Sequence, residues 1–165
     1  MVDTNAIKEL RERTGAGVLD CKRALDETQG CIEDAAEILK RQGLAKAERK
    51  ASREVRQGLV EAYVHTGGRI GALIEVNCES DFVAHTDEFK RLAHDLAMQV
   101  AAIDPEMLDG EGVPEGADPI ELHLLSQPFI KDPARTVQDL INEVIARVGE
   151  NIRVKRFARY ELGKD

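Results

Sequence analysis

Residues 60–76 read VEAYVHTGGRIGALIEV, and this stretch decides the fold class. Every second residue is apolar on each side of a central turn: Val60, Ala62 and Val64 come before it, and Ile70, Ala72, Ile74 and Val76 after it. Because side chains alternate between the two faces of a strand, this period predicts two strands with one covered apolar face. Thr66-Gly67-Gly68 has the composition of a tight turn, so the stretch predicts a β-hairpin.

Two helical patterns and one more alternating pattern follow the hairpin. Residues 86–102 and 137–148 carry apolar side chains three and four positions apart, which is typical of helices with one buried face. Residues 152–160 alternate again and predict a third strand, which an isolated hairpin needs as a neighbour. The predicted fold class is α+β, with a three-stranded antiparallel sheet that carries both helices on one face.

An acidic segment separates these two helices. Residues 104–121 contain seven acids, three prolines and three glycines, and no Lys or Arg. Pro and Gly interrupt regular structure, so this segment predicts a loop.

The N-terminal residues 4–42 predict three short helices. Their apolar side chains recur at three- and four-residue intervals, and Gly15, Gly30 and Gly43 mark the helix ends. Beyond them, residues 40–56 hold seven basic and two acidic side chains, a local charge of +5. This run indicates either a solvated helical linker or a patch that steers an acidic partner.

These patterns predict a three-part organisation. A three-helix module spans residues 1–45, a charged connector spans 46–56, and an α+β core spans 57–165. A module of about forty residues is small for independent stability, which favours a role in recognition.

The charge balance excludes one class of function. The 165 residues include 23 Lys and Arg against 31 Asp and Glu, a formal charge of −8. A general nucleic-acid binder needs a basic surplus to neutralise phosphates, so direct nucleic-acid binding is not expected. The apolar runs are shorter than the ~20 residues of a membrane span, and the N-terminus lacks the layout of a secretory signal. We therefore expect a cytoplasmic protein without membrane contact.

Motifs that carry catalysis are missing from the sequence. It contains no phosphate-binding loop, dinucleotide fingerprint, zinc-protease motif or nucleophile elbow, and its three cysteines form no C-x-x-C pair. Asp81 and His85 are four apart and could begin a carboxylate–histidine site, but no further ligand stands at metal spacing. We therefore expect no cofactor and no metal, and a small-molecule enzyme that uses Asp81 and His85 is the least favoured alternative at this point.

Residues 77–84, NCESDFVA, join the hairpin to the next helix and allow two interpretations. In the first, which composition favours, Ser80 or Asp81 caps the helix and Phe82 fills the core. In the second, Phe82 is a rigid aromatic wedge at a strand-to-helix corner that enters a partner's pocket.

Three blocks of sequence, taken in order, are long enough to be specific. Residues 10–25 read LRERTGAGVLDCKRAL, residues 75–83 read EVNCESDFV, and a C-terminal block comprises QPFIKD at 127–132 with residues 148–163. Together they closely resemble the signatures of the elongation factor Ts family, over nearly the whole chain. In the second block the family usually has Thr where this chain has Ser80.

The resemblance implies a fold and a function. It implies an N-terminal three-helix module similar to ubiquitin-associated (UBA) domains, followed by an antiparallel sheet core. It also implies a guanine-nucleotide exchange factor of translation, which binds elongation factor Tu in its GDP-bound and nucleotide-free forms and promotes GDP release so that GTP can bind. No covalent chemistry is implied.

The resemblance also implies which residues bind the partner: Asp81, Phe82, Arg11, Val18, Leu19, His65 and Val148. Asp81 and Phe82 are expected to enter the partner's GTPase domain near its magnesium and phosphate site. The first signature supplies Arg11, Val18 and Leu19. The hairpin tip places His65 near the partner's phosphate loop, and Val148 is a further candidate.

The chain departs from the family pattern in three places. The acidic loop 104–121 replaces a longer helical excursion, so contacts of that excursion do not carry over. Cys31 stands where Asp commonly caps the third helix, which forfeits about 1 kcal/mol of capping unless Gly30 takes the position. The chain holds a single sheet subdomain, and because short members generally pair, we expect a homodimer.

One alternative function is a protein-binding adaptor. It would use the UBA-like head and have no nucleotide-exchange activity. Residues 77–83 discriminate between the two functions, because an adaptor has no use for a wedge there.

Overall fold

The computed structural model describes residues 3–109 and 118–164. The chain forms two compact units, one made of Met1–Ser52 with Asn142–Gly149 and the other of Arg53–Ile141 with Glu150–Asp165. We call them the N-terminal unit and the sheet unit. In chain order the elements are α1 (Thr4–Thr14), α2 (Val18–Glu27), α3 (Ile32–Lys50), β1 (Gln57–Val64), β2 (Ile70–Cys78), α4 (Asp81–Ala84), α5 (Asp87–Ile103), α6 (Pro119–Leu122), a 3₁₀ turn (Leu124–Ser126), β3 (Pro128–Phe129), β4 (Asp132–Thr136), α7 (Val137–Val148) and β5 (Ile152–Glu161).

Three helices, α1 to α3, open the N-terminal unit, as the periodicity predicts. Asp3 caps α1 by accepting the Asn5 N–H at 3.1 Å, and Gly15 ends the helix in the left-handed region at φ 67°. The inward faces of the three helices pack a small core of Leu10, Cys21, Ala24, Leu25, Ala35 and Leu39.

The third helix is longer than its glycine indicates. The sequence predicts that it ends before Gly43, whereas α3 continues to Lys50, through the first residues of the expected connector, and buries Ala47. A glycine inside a helix costs only about 1 kcal/mol relative to alanine, and residues 44–50 are good helix formers. A Cβ at Gly43 would lie 3.6 Å from the Ala146 Cβ, so this position also permits close packing.

The sheet confirms the predicted α+β class. It has three antiparallel strands in the order β1-β2-β5, and β3 and β4 form a separate two-stranded hairpin. In the described part of the chain, no helix is both long enough and apolar enough to cross a membrane.

The predicted covered face of β1 is wrong. Its register places Leu59, Glu61 and Tyr63 opposite Val76, Ile74 and Ala72, whose side chains on β2 are buried. Val60, Ala62 and Val64 therefore lie on the other face, where all three are exposed. Because β1 carries apolar side chains on both faces, alternation alone could not identify the face that is covered.

Helix α5 covers the sheet as predicted, and α7 is divided between the two units. Thr86 caps α5 by accepting the Phe89 N–H at 3.3 Å, and Phe89, Leu96 and Val100 are fully buried. Helix α7 has the predicted bounds, yet Asn142–Gly149 belongs to the N-terminal unit. A boundary between the two units therefore falls inside the predicted α+β core, between Ile141 and Asn142. A helical period reveals an inward face, not the surface it packs against.

The segment from Asp118 to Thr136 is more ordered than the sequence predicts. α6 begins at Pro119, inside the predicted loop, and residues 110–117 of that loop lie outside the described residues. The buried Gln99 on α5 donates to Gln127 Oε1 at 3.1 Å and accepts the Ile130 N–H at 2.9 Å. These hydrogen bonds fix the β3–β4 hairpin, which no alternating pattern indicates.

Candidate functional site

A sharp strand-to-helix corner follows the central strand. β2 ends at Cys78, α4 begins at Asp81, and Ser80 between them has an extended backbone at φ −123° and ψ 151°. Its Oγ accepts the Val83 N–H at 3.3 Å. Ser80 is therefore the N-cap of α4, one of the two caps that the sequence predicts.

Phe82 points away from the core. Val83 and Ala84 are buried, whereas Phe82 is 80% exposed. Successive helical residues are rotated by about 100°, so a turn that buries its third and fourth residues turns its second residue outward. The interpretation in which Phe82 fills the core is wrong. The corner presents an aromatic ring beside the exposed Asp81 carboxylate.

Exposure of this ring indicates a contact surface. An exposed aromatic side chain rimmed by polar residues is typical of the anchors that dominate protein interfaces. The His85 Nδ1 lies 2.7 Å from the Asp81 carbonyl oxygen and 3.4 Å from its Oδ1. Within residues 3–109 and 118–164, no group of three or more His, Cys, Asp and Glu side chains is placed to hold a metal ion.

A buried thiol lies beneath the corner. Cys78 is buried, and its Sγ donates to the Ser80 carbonyl oxygen at 3.1 Å. Burial, with the negative charge of Glu150 as a second cause, raises the pKa of Cys78 to about 11. This thiol is therefore neutral at physiological pH and is not poised as a nucleophile.

The hairpin tip presents His65. The tip is closed by two hydrogen bonds, from the His65 N–H to the Ile70 carbonyl at 2.8 Å and from the Gly68 N–H to the His65 carbonyl at 2.9 Å. The His65 Nδ1 lies 3.2 Å from the Tyr63 hydroxyl, which fixes the ring from within β1. Gly67 and Gly68 both have positive φ, so the turn chemistry that the sequence predicts is confirmed.

The remaining predicted site residues lie in the N-terminal unit. Val18 and Leu19 begin α2 and are 52% and 69% exposed, and Arg11 is exposed on α1. Val148 ends α7 and is half-buried. A Cβ at Gly15 would meet the Arg147 side chain at 2.6 Å, so the loop after α1 lies against the end of α7. Arg11, Val18, Leu19 and Val148 are thus carried by one unit, and His65, Asp81 and Phe82 by the other.

Sequence reasoning missed the residues that hold the corner. Glu150 and Asn151, in the loop between α7 and β5, hydrogen-bond to Ser80 and Glu79. They are 70 and 72 residues away from those partners, beyond the reach of any periodic pattern. Both residues fall within the C-terminal block 148–163 that carries the resemblance, but no pattern in that block indicated what they contact.

Comparison with known proteins gives consistent results. Residues 29–117 match the family model described as elongation factor TS. The chain is 50% identical to elongation factor Ts of Carboxydothermus hydrogenoformans, with 99% of this chain and 90% of the relative covered. It is 49% identical to elongation factor Ts of Syntrophomonas wolfei and 48% identical to that of Thermotoga neapolitana, again over 99% of this chain, with 92% and 98% of the relatives covered.

These alignments extend over 196, 196 and 194 positions, more than the 165 residues of the chain, so the relatives carry residues that it lacks. The family model matches more than half of the chain, and the relatives match nearly all of it. The chain therefore belongs to the elongation factor Ts family.

Proposed function

We propose that the chain is a guanine-nucleotide exchange factor for elongation factor Tu. It binds the GDP-bound partner, promotes GDP release and thereby allows GTP to bind, without covalent chemistry or a cofactor. The observation that carries this proposal is the exposed Phe82 ring on a capped, hydrogen-bonded corner. Membership of the family and the names of the relatives support it.

In the proposed mechanism, the free energy of binding between the factor and its partner is used to weaken the partner's hold on GDP. A factor that weakens GDP binding must bind the nucleotide-free partner more tightly than the GDP-bound one, and by linkage GDP weakens the binding of the factor by the same ratio. Phe82 enters the partner beside Asp81 and displaces side chains that organise the magnesium ion. The phosphates then lose a counter-charge that a GTPase needs to hold them.

The other predicted contacts assist this step. Val18 and Leu19 supply exposed apolar contact area at the start of α2, and Arg11 supplies a positive charge. His65 approaches the partner's phosphate loop from the hairpin tip, and Val148 adds an apolar contact. The N-terminal helices act as a UBA-like recognition module, and the site of action is the cytoplasm.

The functional form is a homodimer that pairs through the open face of the sheet, which we define as the face away from α5. Rows of apolar residues cross all three strands there: Ala62 is opposite Leu73 and Ala158, and Val64 is opposite Gly71 and Tyr160. Val64 and Tyr160 are 66% and 70% exposed. These two apolar rows lie beside a row in which Glu75 pairs with Arg156, and an apolar patch with a charged border is typical of subunit interfaces. Two-fold pairing is the commonest arrangement.

The test is the release of fluorescent GDP from elongation factor Tu during a chase with unlabelled GDP. We expect micromolar concentrations of the chain to accelerate release, and Phe82→Ala to lose most of the acceleration. Ile103→Ala, which truncates an exposed apolar side chain at the end of α5, is the matched control and should be unaffected. Binding without acceleration would instead support an adaptor, and neither binding nor acceleration would reject both functions.

A further inference from the structure

Glu150 holds the corner that presents Phe82. Its Oε2 accepts the Ser80 backbone N–H at 2.9 Å, and its Oε1 accepts the Ser80 hydroxyl at 2.5 Å. Both bonds are charge-assisted and partly shielded from water, which makes them stronger than neutral surface hydrogen bonds. A single carboxylate thus fixes the backbone and the side chain of the residue that caps α4.

The neighbouring residues, Glu79 and Asn151, form a second set of hydrogen bonds in which the loop between α7 and β5 is the donor. The Asn151 N–H donates to Glu79 Oε1 at 2.6 Å, and the buried Asn151 amide donates to the Arg53 carbonyl at 2.9 Å. The backbone pairing between β2 and β5 ends at Cys78 and Ile152. Beyond that point, hydrogen bonds from the side chains of Glu150 and Glu79 link the two chain segments in place of backbone pairing.

All the polar atoms of Ser80 are engaged. Its hydroxyl oxygen accepts the Val83 N–H, and its carbonyl oxygen accepts the Cys78 thiol at 3.1 Å and the Ala84 N–H at 3.3 Å. With the two bonds to Glu150, the backbone at Ser80 has one orientation. This matters because a helix of four residues is too short to be stable by itself, so tertiary contacts must set the direction of Phe82.

We propose that Glu150 is a positioning residue for partner binding, which through Ser80 holds Asp81 and Phe82 in the orientation that enters the partner. An anchor that is held in its bound orientation before contact loses less conformational entropy on binding. This inference rests on the proposed exchange function, and it assigns a role to a residue that does not itself touch the partner.

The chemistry of the bonds predicts which substitutions act. Ser80 offers two donors to Glu150, and a carboxylate can accept both. Glu150→Gln keeps the size of the side chain but removes its charge and one acceptor oxygen. Both bonds then lose their charge assistance, and the Ser80 hydroxyl can no longer donate to the second oxygen. Ser80→Ala removes the hydroxyl bond, whereas Ser80→Thr retains the hydroxyl.

A double-mutant cycle with Phe82 tests the proposal. In the GDP-release assay, we expect Glu150→Gln to reduce the acceleration about tenfold when Phe82 is present, the size expected for coupled residues. On the Phe82→Ala background we expect the same substitution to change the rate less than about twofold, because its effect passes through Phe82. Ser80→Thr should restore most of what Ser80→Ala loses. Glu54→Gln removes the same charge from an exposed pair with Arg56 and should have no effect.

Fluorine NMR of 4-fluorophenylalanine at position 82 gives a readout that needs no partner. We expect one resonance in the parent chain and, in Glu150→Gln, a shift toward the value of an unstructured peptide or exchange broadening. Equal losses with and without Phe82, or an unchanged fluorine signal in Glu150→Gln, would overturn the positioning role. If the parent chain fails to accelerate GDP release, the exchange function fails, and the fluorine signal alone then decides whether Glu150 orients Phe82.

Discussion

Phe82 and the open face of the sheet both expose apolar side chains to solvent, but they are built differently. Phe82 is one ring on a four-residue helix, and side-chain hydrogen bonds set its direction. The open face is broad and is laid out by the backbone ladders of three strands. A single pre-oriented anchor suits a partner that must leave again, whereas a broad apolar face suits a subunit that stays.

The largest expected effect comes from placing a charge on the open face. Leu73 lies on the central strand, opposite Ala62 on one side and Ala158 on the other. If the sheets pair, Leu73→Asp buries an uncompensated charge in the interface, which costs about 3 to 5 kcal/mol. We expect sedimentation velocity to show a monomer for Leu73→Asp and a dimer for Phe82→Ala. A monomeric parent chain would contradict the proposal that the open face is a subunit interface.

Truncation of the anchor should affect exchange but not folding. If Phe82 is a hot spot, Phe82→Ala reduces the coupling between GDP and factor binding by about 2 kcal/mol or more. The ring is mostly exposed, so the free energy of unfolding should change by less than about 0.5 kcal/mol. GDP release and urea denaturation measure the two quantities. A large loss of stability would mean that Phe82 serves the fold.

The Cys78 thiol makes the corner sensitive to alkaline pH. Its pKa in the folded chain, about 11, is raised above the ordinary value of 9.0 by burial and by Glu150. Between these two values the folded chain keeps the proton that the unfolded chain releases. The stabilisation is therefore complete below pH 9 and is lost as pH rises through about 11. Urea denaturation at pH 8 and pH 10.5 should show this loss, and Cys78→Ala should remove the Cys78 contribution.

The smallest expected effect concerns neither surface. Cys31, and not Gly30, is the N-cap of α3, and its backbone is extended as an N-cap requires. Its side chain makes no capping hydrogen bond. Cys31→Ser is nearly isosteric and supplies a hydroxyl acceptor, which should stabilise the chain by about 0.5 to 1 kcal/mol. Thermal unfolding should show the gain, while exchange and dimer mass remain unchanged. A change in exchange would mean that the cap of α3 affects Phe82, and a change in dimer mass would mean that it affects the open face.

Local patterns predicted most of the fold but little of its long-range packing. The bounds of α5, α7 and β5 follow from apolar periodicity, because that period directly records which side chains face inward. The covered face of β1 could not be predicted, since Leu59 and Val60 offer an apolar side chain to either face. The destination of the second half of α7 was equally hidden, because it depends on a surface far away in sequence.

The candidate site shows the same division. The turn glycines and the Ser80 cap follow from local chemistry, whereas the exposure of Phe82 depends on Val83 and Ala84 filling the core in its place. Composition favoured a buried Phe because aromatic residues are usually buried. The hydrogen bonds between Glu150 and Ser80 could not be predicted, because no local pattern indicates a contact between residues 70 positions apart.

The division of α7 between the two units has a consequence for the order of events during protein synthesis. The N-terminal unit includes Asn142–Gly149, so its helices α1 to α3 are made long before the last part of their own unit. On the ribosome, where domains generally fold as they emerge, this unit cannot be completed until residue 149 has left the exit tunnel. Helices α1 to α3 therefore reach their final environment only after residue 149 has been added to the chain.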